Sequence, residues 1–383
     1  MPFFSVIVPC CDVETYIPET LASLNAQTFR DFETILVVED SRDRTLELCR
    51  KAEAENPQIR VFTQPRSGSP AAPRNTGLAH AEGRYTVFLD GDDLLEHDAL
   101  QILAAAIQDA GSPDAVQIAC QEFLTGPDGT RTMRKRFFNY LPEDHGKIFS
   151  GPEATCRVAA LHAYPFPITQ ISICRKEFLS GHHLSQCPGL LHEDEEWTPR
   201  ILFLAKSVLA LDRALYLYRI RPDSIMGCYT ALPDPTPYGT VLRLLLKFAM
   251  SQKNVPENVW FAWQKVWLST FFSAVFFPKN GRQLPAALRH SAVHALLADD
   301  GAANLRGFLV RIERCLKEAI TLYIQHIIHI NQGFTTLSIF MDNDIAFIGR
   351  RTLRTRITGH CKTNQFYLKG QRVIRSLVSH VHR

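Results

Sequence analysis

The sequence predicts an α/β protein built on a mainly parallel sheet, followed by a C-terminal α-helical region. Three observations carry that reading. Strand and helix signals alternate through the first hundred residues, as parallel strands joined by crossover helices require. Acidic clusters fall where strands end, and the composition changes after "ALPDPTPYG", with prolines at 233, 235 and 237 that read as a linker. A chain of 383 residues exceeds the usual size of one compact domain. We therefore expect an α/β domain over 1–231 and a helical accessory domain over 232–383.

The elements follow in order. "FFSVIV" (3–8) is a buried apolar strand, and "YIPETLASLNAQ" is a helix with Ile17, Leu21 and Leu24 on one face. "ETILVV" (33–38) is the second strand, "RTLELCRKAEAE" a helix, "IRVFT" the third strand, "PRNTGLAHA" a helix and "YTVFL" the fourth strand. From about 112 to 230 the pattern loosens: "DAVQIAC" and "QISIC" read as strands, "EEWTPRILFLA" as a helix and "SVLALDRALYLYR" as a strand pair. Beyond the linker, Trp260, Trp263, Trp267 and Phe271 form an aromatic stripe. It reads first as a packed core face, with sugar stacking or a membrane-facing edge as alternatives. Leu316, Ala319, Ile320, Tyr323, Ile324, Ile327 and Ile328 repeat at amphipathic helical spacing, and this stripe is a candidate homodimer interface.

Composition narrows the function classes. A hydrophobic share of 46% with 21% charged residues is that of a folded globular protein, and a net charge of +3 gives no support to nucleic-acid binding. The ten cysteines form no C-x-x-C pair or disulfide framework, and "MPFFSVIVPC" has no basic leader, so a cytoplasmic location is expected. Val259 to Phe277 approaches spanning length, but Gln264 and Lys265 interrupt it. From Ile345 on there are nine Lys or Arg and no Asp or Glu. That asymmetry reads equally as peripheral contact with anionic lipid at the inner membrane face and as a solvated basic helix face.

The chemistry gathers at strand ends. "YTVFLDGDDL" runs an apolar strand into Asp90, Asp92 and Asp93, which repel one another unless a cation or hydrogen-bond donors offset them. Strand alternation would place Asp90 and Asp92 on one side. Such hard oxygen ligands suit Mg²⁺ or Mn²⁺ shared with substrate phosphates, while the bland reading is a turn or helix cap. Glu39, Asp40 and Ser41 end the second strand, where an acid can accept hydrogen bonds from a nucleobase or ribose. Arg74 and Asn75 open a helix after "QPRSGSPAAP", a place for phosphate between a guanidinium and a helix N-terminus. The cluster His182, His183, Cys187 and His192 fits no standard zinc spacing.

Taken together, "VIVPCCDVETYIPETLASLNAQT", "VVEDSRDRT", "PRNTGLAHAEGRYTVFLDGDD", "PGLLHEDEEW" and "YLYRIRPDSI" resemble, in order and spacing, the family 2 glycosyltransferases with their A-type glycosyltransferase fold. The resemblance covers roughly residues 3–227. It implies an inverting, metal-dependent hexosyltransferase that moves a sugar from a nucleotide-diphospho-sugar to a hydroxyl of a glycan or lipid-linked acceptor. The setting it suggests is bacterial surface polysaccharide or lipopolysaccharide synthesis. By the same resemblance Asp40 contacts the base, and Pro9, Asp12, Glu39, Arg74, Asn75 and Gly91 complete the nucleotide site. Asp90 and Asp92 form the D-x-D element, Asp92 being the direct ligand of Mn²⁺ or Mg²⁺, and Asp93 adjoins the donor sugar. Asp194 is the catalytic base, with Glu193, Glu195 and Glu196 as alternatives; His192 and Glu193 lie beside the acceptor. Glu195 and Glu196 are also explained as acids complementing a helix dipole. Arg219 belongs to a loop closing over the nucleotide.

The chain departs from the family pattern at Cys11-Asp12, where Tyr-Asn is common, at the shortened, glycine-free "VEDSRDRT", and at Pro73, where alanine is usual. Two other readings compete. One is a glycosyltransferase-like binding or scaffold protein without activity. The other is a haloacid dehalogenase-type phosphatase, disfavoured because the D-x-D element follows the fourth strand and no Thr or Ser follows it.

Overall fold

The structure, a computed structural model, describes residues 1–126, 128–161, 168–221, 236–252, 255, 256 and 259. Expectations for Trp260 to Phe271, for 316–328 and for the basic end beyond 345 lie outside the described residues, as does most of 259–277. By internal contacts the chain divides into two units. The first is Met1–Leu161 with Pro165–Pro233; the second takes His162–Tyr164 and the chain from Asp234.

The first unit opens with the expected alternation: β1 (Phe4–Cys10), α1 (Ile17–Asn25), β2 (Phe32–Glu39), α2 (Thr45–Glu55), β3 (Ile59–Gln64), α3 (Ala71–His80) and β4 (Tyr85–Phe88). Then come β5 (Leu94–Leu95), α4 (Ala99–Asp109), β6 (Ala115–Thr125), β7 (Arg131–Phe137), β8 (Ile148–Phe149) and α5 (Gly151–Leu161). Next are β9 (Ser172–Arg175), α6 (Lys176–Gly181), α7 (Glu193–Leu204) and β10 (Val208–Arg219). One sheet takes the order β3-β2-β1-β4-β9-β6-β10-β5, with β7 on β6 and β8 on β10. Strands β3, β2, β1 and β4 run parallel, as do β6 and β10, while β9 fits antiparallel between β4 and β6.

Burial on both faces explains why β1 is apolar through Val6–Val8 and β2 through Ile35–Val38. Val6, Val8, Leu36 and Val38 enter the core under α1, α2 and α4, with Ile17, Leu21, Leu24, Cys49, Leu100 and Leu103. Ile7, Ile35, Val37 and Phe88 enter the opposite core with Val158, Trp197 and Ile201 of α5 and α7. A strand buried on both faces reads as a continuous apolar run. This layering places the carboxyl ends of β1, β2 and β4 along one rim.

Two elements differ from expectation. "SVLALDRALYLYR" is a single strand, not a pair: β10 stays parallel to β6 throughout, with register shifts at Leu211/Ala214 and Ala214/Tyr216. The polar pair Asp212-Arg213, which reads as a turn, is absorbed in this bulge, and the Asp212 amide donates to His145 Nδ1 at 3.0 Å. Strand β7 had no legible signal, because Arg131, Arg134, Lys135 and Arg136 crowd an exposed ribbon.

In the second unit, α8 (Thr236–Ser251) starts inside the proline-rich run, with Pro237 in its first turn, and buries Val241, Leu242, Leu245 and Ala249. Among the described residues no helix is long and apolar enough to cross a membrane.

Helix α3 presses closely on β1: a Cβ on Gly77 would lie 2.2 Å from Ile7 Cγ2. Gly77→Ala is therefore expected to cost about 1–3 kcal/mol through overpacking, measured as a lower midpoint in urea denaturation.

Candidate active site

The site forms where β4 stops. The strand ends at Phe88, and the Asp93 amide donates to the Asp90 carbonyl at 3.0 Å, so the aspartates are gathered by a turn, not by strand alternation. One carboxylate oxygen from each of Asp90, Asp92 and Asp93 lies within 4.8 Å of the other two. Space is tight at Gly91, where a Cβ would sit 3.2 Å from both the Pro9 carbonyl and Val13 Cγ2. Thr20 Oγ1 donates to the Gly91 and Asp93 carbonyls at 3.0 and 2.9 Å, which pins the turn to α1.

Each aspartate has its own partners. Asp90 accepts from Arg74 at 2.8 Å and from Gln170 Nε2 at 2.5 Å. Asp93, fully buried, accepts from Tyr216 Oη at 2.5 Å and from the Arg219 amide at 2.7 Å. Asp92 accepts from Arg221 Nε at 2.5 Å. Burial and then the neighbouring carboxylates push the Asp93 carboxyl well above its usual range; Asp92 is raised by burial and Asp90 even though Arg221 opposes the shift. Both carboxyls therefore hold a proton more tightly than a free aspartate, and a cation at the turn would favour their charged forms. The turn's donor set, hard and all carboxylate, suits Mg²⁺ or Mn²⁺.

Arg74 is not at a helix tip. It is the fourth residue of α3, 2% exposed, and its other amino group reaches Glu193 at 2.8 Å. Burial opposes its charge, but Asp90 and Glu193 outweigh that and raise its pKa. Asn75 exchanges two hydrogen bonds with the Gln186 backbone, at 2.8 and 2.9 Å. Arg74 thus ties the start of α7 to α3, and Asn75 ties the segment before α7 to it. Arg219 is likewise not in a loop: it ends β10, 4% exposed, and donates to the Asp92 carbonyl, Thr125 Oγ1 and Glu19 at 2.6–2.7 Å. Its guanidinium lies over the Phe123 and Tyr16 rings.

On α7, Asp194 is half-buried and accepts from the Glu195 amide at 2.9 Å. Burial, reinforced by Glu193 and Glu195, raises its carboxyl well above the usual range. Glu195 and Glu196 are buried and not a solvated helix end; Glu196 pairs with Arg200 at 2.6 Å. His192 begins the helix in the left-handed region, φ 66°, and burial lowers its pKa to about 4, so it is neutral at physiological pH.

At the rim of β1 and β2, Asp40 is exposed. Glu39 is buried and accepts from the Ser67 amide and hydroxyl at 3.0 and 2.6 Å, shaping the loop after β3. Asp12, at φ 51°, accepts from the Arg42 amide at 2.7 Å and pairs with Arg66. The glycine-free loop after β2 is thereby laced to the loop after β1. Glu19, Gln170, Tyr216 and Arg221 escaped sequence reasoning; only "YLYRIR" hinted at the last two.

The sheet order and the acidic turn after β4 define an A-type glycosyltransferase fold. The chain overlays the crystal structure of S. aureus TarS 1–349 in complex with UDP with a TM-score of 0.60, at 21% identity, covering 82% of this chain and 88% of that one. Residues 5–178 match the glycosyl transferase family 2 model. It is 30% identical over 229 residues to the uncharacterized glycosyltransferase EpsJ of Bacillus subtilis, covering 59% of this chain and 63% of EpsJ. The chain thus spans less than two thirds of that relative. It is 38% identical over 142 residues to the poly(ribitol-phosphate) beta-N-acetylglucosaminyltransferase TarS of Staphylococcus aureus, covering 37% of this chain and 24% of TarS.

Because Asp194 titrates above an ordinary aspartate, its charge costs stability progressively as pH rises through that raised value. Asp194→Asn is expected to melt no lower than the natural protein at neutral pH, with any advantage vanishing below about pH 4, as differential scanning calorimetry would show.

Proposed function

We propose that the chain is an inverting, metal-dependent glycosyltransferase that moves a sugar from a nucleotide-diphospho-sugar to a hydroxyl of a glycan or lipid-linked acceptor. One observation carries the reading: within a family 2 domain, Arg74 ties the carboxylate turn to the helix that bears Asp194. A donor-activating cluster and a candidate base are thus held in a fixed relation.

Asp92 and Asp90 would hold the cation, and a divalent ion there would supply the charge neutralisation that a diphosphate leaving group otherwise needs from a protein acid. Asp40 is the acid left open at the sheet rim for the base of the nucleotide. Asp194 takes the proton of the attacking hydroxyl, and its raised pKa brings it closer to the range where a general base works well. Glu193, occupied by Arg74, positions Asp194 and does not compete with it. Neutral His192 beside it can accept or donate a hydrogen bond to the acceptor. The setting in this reading is surface polysaccharide synthesis at the inner face of a bacterial membrane; the poly(ribitol-phosphate) acceptor for which TarS is named supports the polysaccharide part. Residues 1–231 form the catalytic domain in this reading, and the remainder meets acceptor, membrane surface or a second copy.

Binding of UDP, GDP, CDP and dTDP is to be measured with and without Mn²⁺. The expected result is metal-dependent binding of one nucleotide, lost in Asp92→Ala; absence of binding by folded protein would favour a scaffold. With the donor so identified, Asp194→Asn should retain donor binding yet transfer labelled sugar about 10²–10⁴-fold more slowly. The acid limb of the natural enzyme's pH profile should lie above that of an ordinary aspartate, because the base must be unprotonated.

A further inference from the structure

Strand β7 stands apart from the rest of the sheet. Among the described residues it pairs with β6 alone, and every position from Arg131 to Arg136 is exposed. Between Asp128 and Glu143 the chain carries Arg131, Arg134, Lys135 and Arg136 and no acid. Charge on an edge strand discourages pairing with other chains. Either sign would serve that end, whereas here one sign is used throughout.

The surroundings keep this charge on display. The Arg131 guanidinium lies 5.6 Å from the centroid of the Phe123 ring, and the Lys135 ammonium 4.7 Å from that of Phe137. An aromatic face steadies a cation without neutralising it. Arg131 also pairs with Glu19, and Arg136 with Asp212, yet the two arginine side chains remain 40% and 42% exposed. Of the other acids close in sequence, Asp128 accepts from the Thr130 amide and hydroxyl in the hairpin turn, and Glu122 lies on the facing strand.

The ribbon begins at the candidate site. Arg131 opposes Thr125 in register, and Arg219 donates to Thr125 Oγ1, to Glu19 and to the Asp92 carbonyl. Glu19 therefore joins Arg131 of the hairpin to Arg219 beneath the carboxylate turn. From Arg131 the strand leads away over about 20 Å.

We propose that β7 is a docking ribbon for an acceptor that is itself a polyanion, a chain bearing anionic groups at intervals. The proposal rests on the glycosyltransferase reading above and names the chemistry of the second substrate. Exposed guanidinium groups meet anionic oxygens in charge-assisted hydrogen bonds. A polymer lying along the ribbon brings its hydroxyls to the end where the turn stands, and successive cations hold it there through several weak contacts at once.

The test is titration calorimetry of inorganic polyphosphate into the full chain at a series of salt concentrations. It compares the natural protein, the double variant Arg134→Gln/Lys135→Gln and the charge-keeping exchange Arg134→Lys/Lys135→Arg. The Gln pair should bind about fivefold or more weakly at low salt, with a plot of log affinity against log salt that is shallower by roughly 1. The exchange variant should match the natural protein. The basic end beyond residue 345 is the same in all three, so the loss belongs to β7. Equal polyphosphate affinity in the natural protein and the folded Gln pair would overturn the proposal. So would vesicles of phosphatidylglycerol showing the β7-dependent binding that polyphosphate does not, since the ribbon would then meet lipid. Metal-dependent nucleotide binding, which the Gln pair should retain, reports separately. Its absence in the natural protein removes the glycosyltransferase reading and the acceptor role with it; its presence beside unchanged polyphosphate binding overturns the ribbon alone.

Discussion

The constraint on which the rest of this domain depends is the charge of three carboxylates in four residues at the end of β4. Taking one such ion out of water carries an effective penalty of several kcal/mol unless partners meet it. Those partners are drawn from almost every layer: Arg74 from α3, Gln170 from the turn before β9, Tyr216 and the Arg219 amide from β10, and Arg221 beyond it. Convergence of these elements on one turn is what closes the rim of the sheet. The same arginine that serves Asp90 continues to Glu193, so compensation of the turn also positions α7. Structure and chemistry here have a common origin in a local excess of negative charge.

Much of this was legible in the sequence. The alternation up to β4 is carried by runs such as "VIVP" and "TILVV", whose neighbours in space are also their neighbours in the pattern. The acidic turn and the acids opening α7 were visible as strings. What could not be read were pairings across long separations. Arg74 looks like a helix-start phosphate ligand until Glu193, 119 residues away, is seen to occupy it. Asp212-Arg213 looks like a turn until β6 shows a partner with which β10 keeps pairing through a bulge. Residue type told that a group was polar and near a strand end; only the fold decided which polar groups satisfy each other and which remain for a ligand.

One feature of the α3 contacts bears on how such a domain can diversify. The segment leading into α7 hangs from α3 by the Glu193 ion pair and by the two Asn75 bonds to the Gln186 backbone. The backbone bonds do not depend on the side chain at 186, although Gln186 Oε1 also accepts from Arg74 at 3.4 Å, and the ion pair asks only for an acid at 193. Residues between these two anchors can therefore change while the relation between the turn and the helix is inherited intact. Such an attachment lets a lineage explore new surfaces for its second substrate at little risk to the half that handles the first.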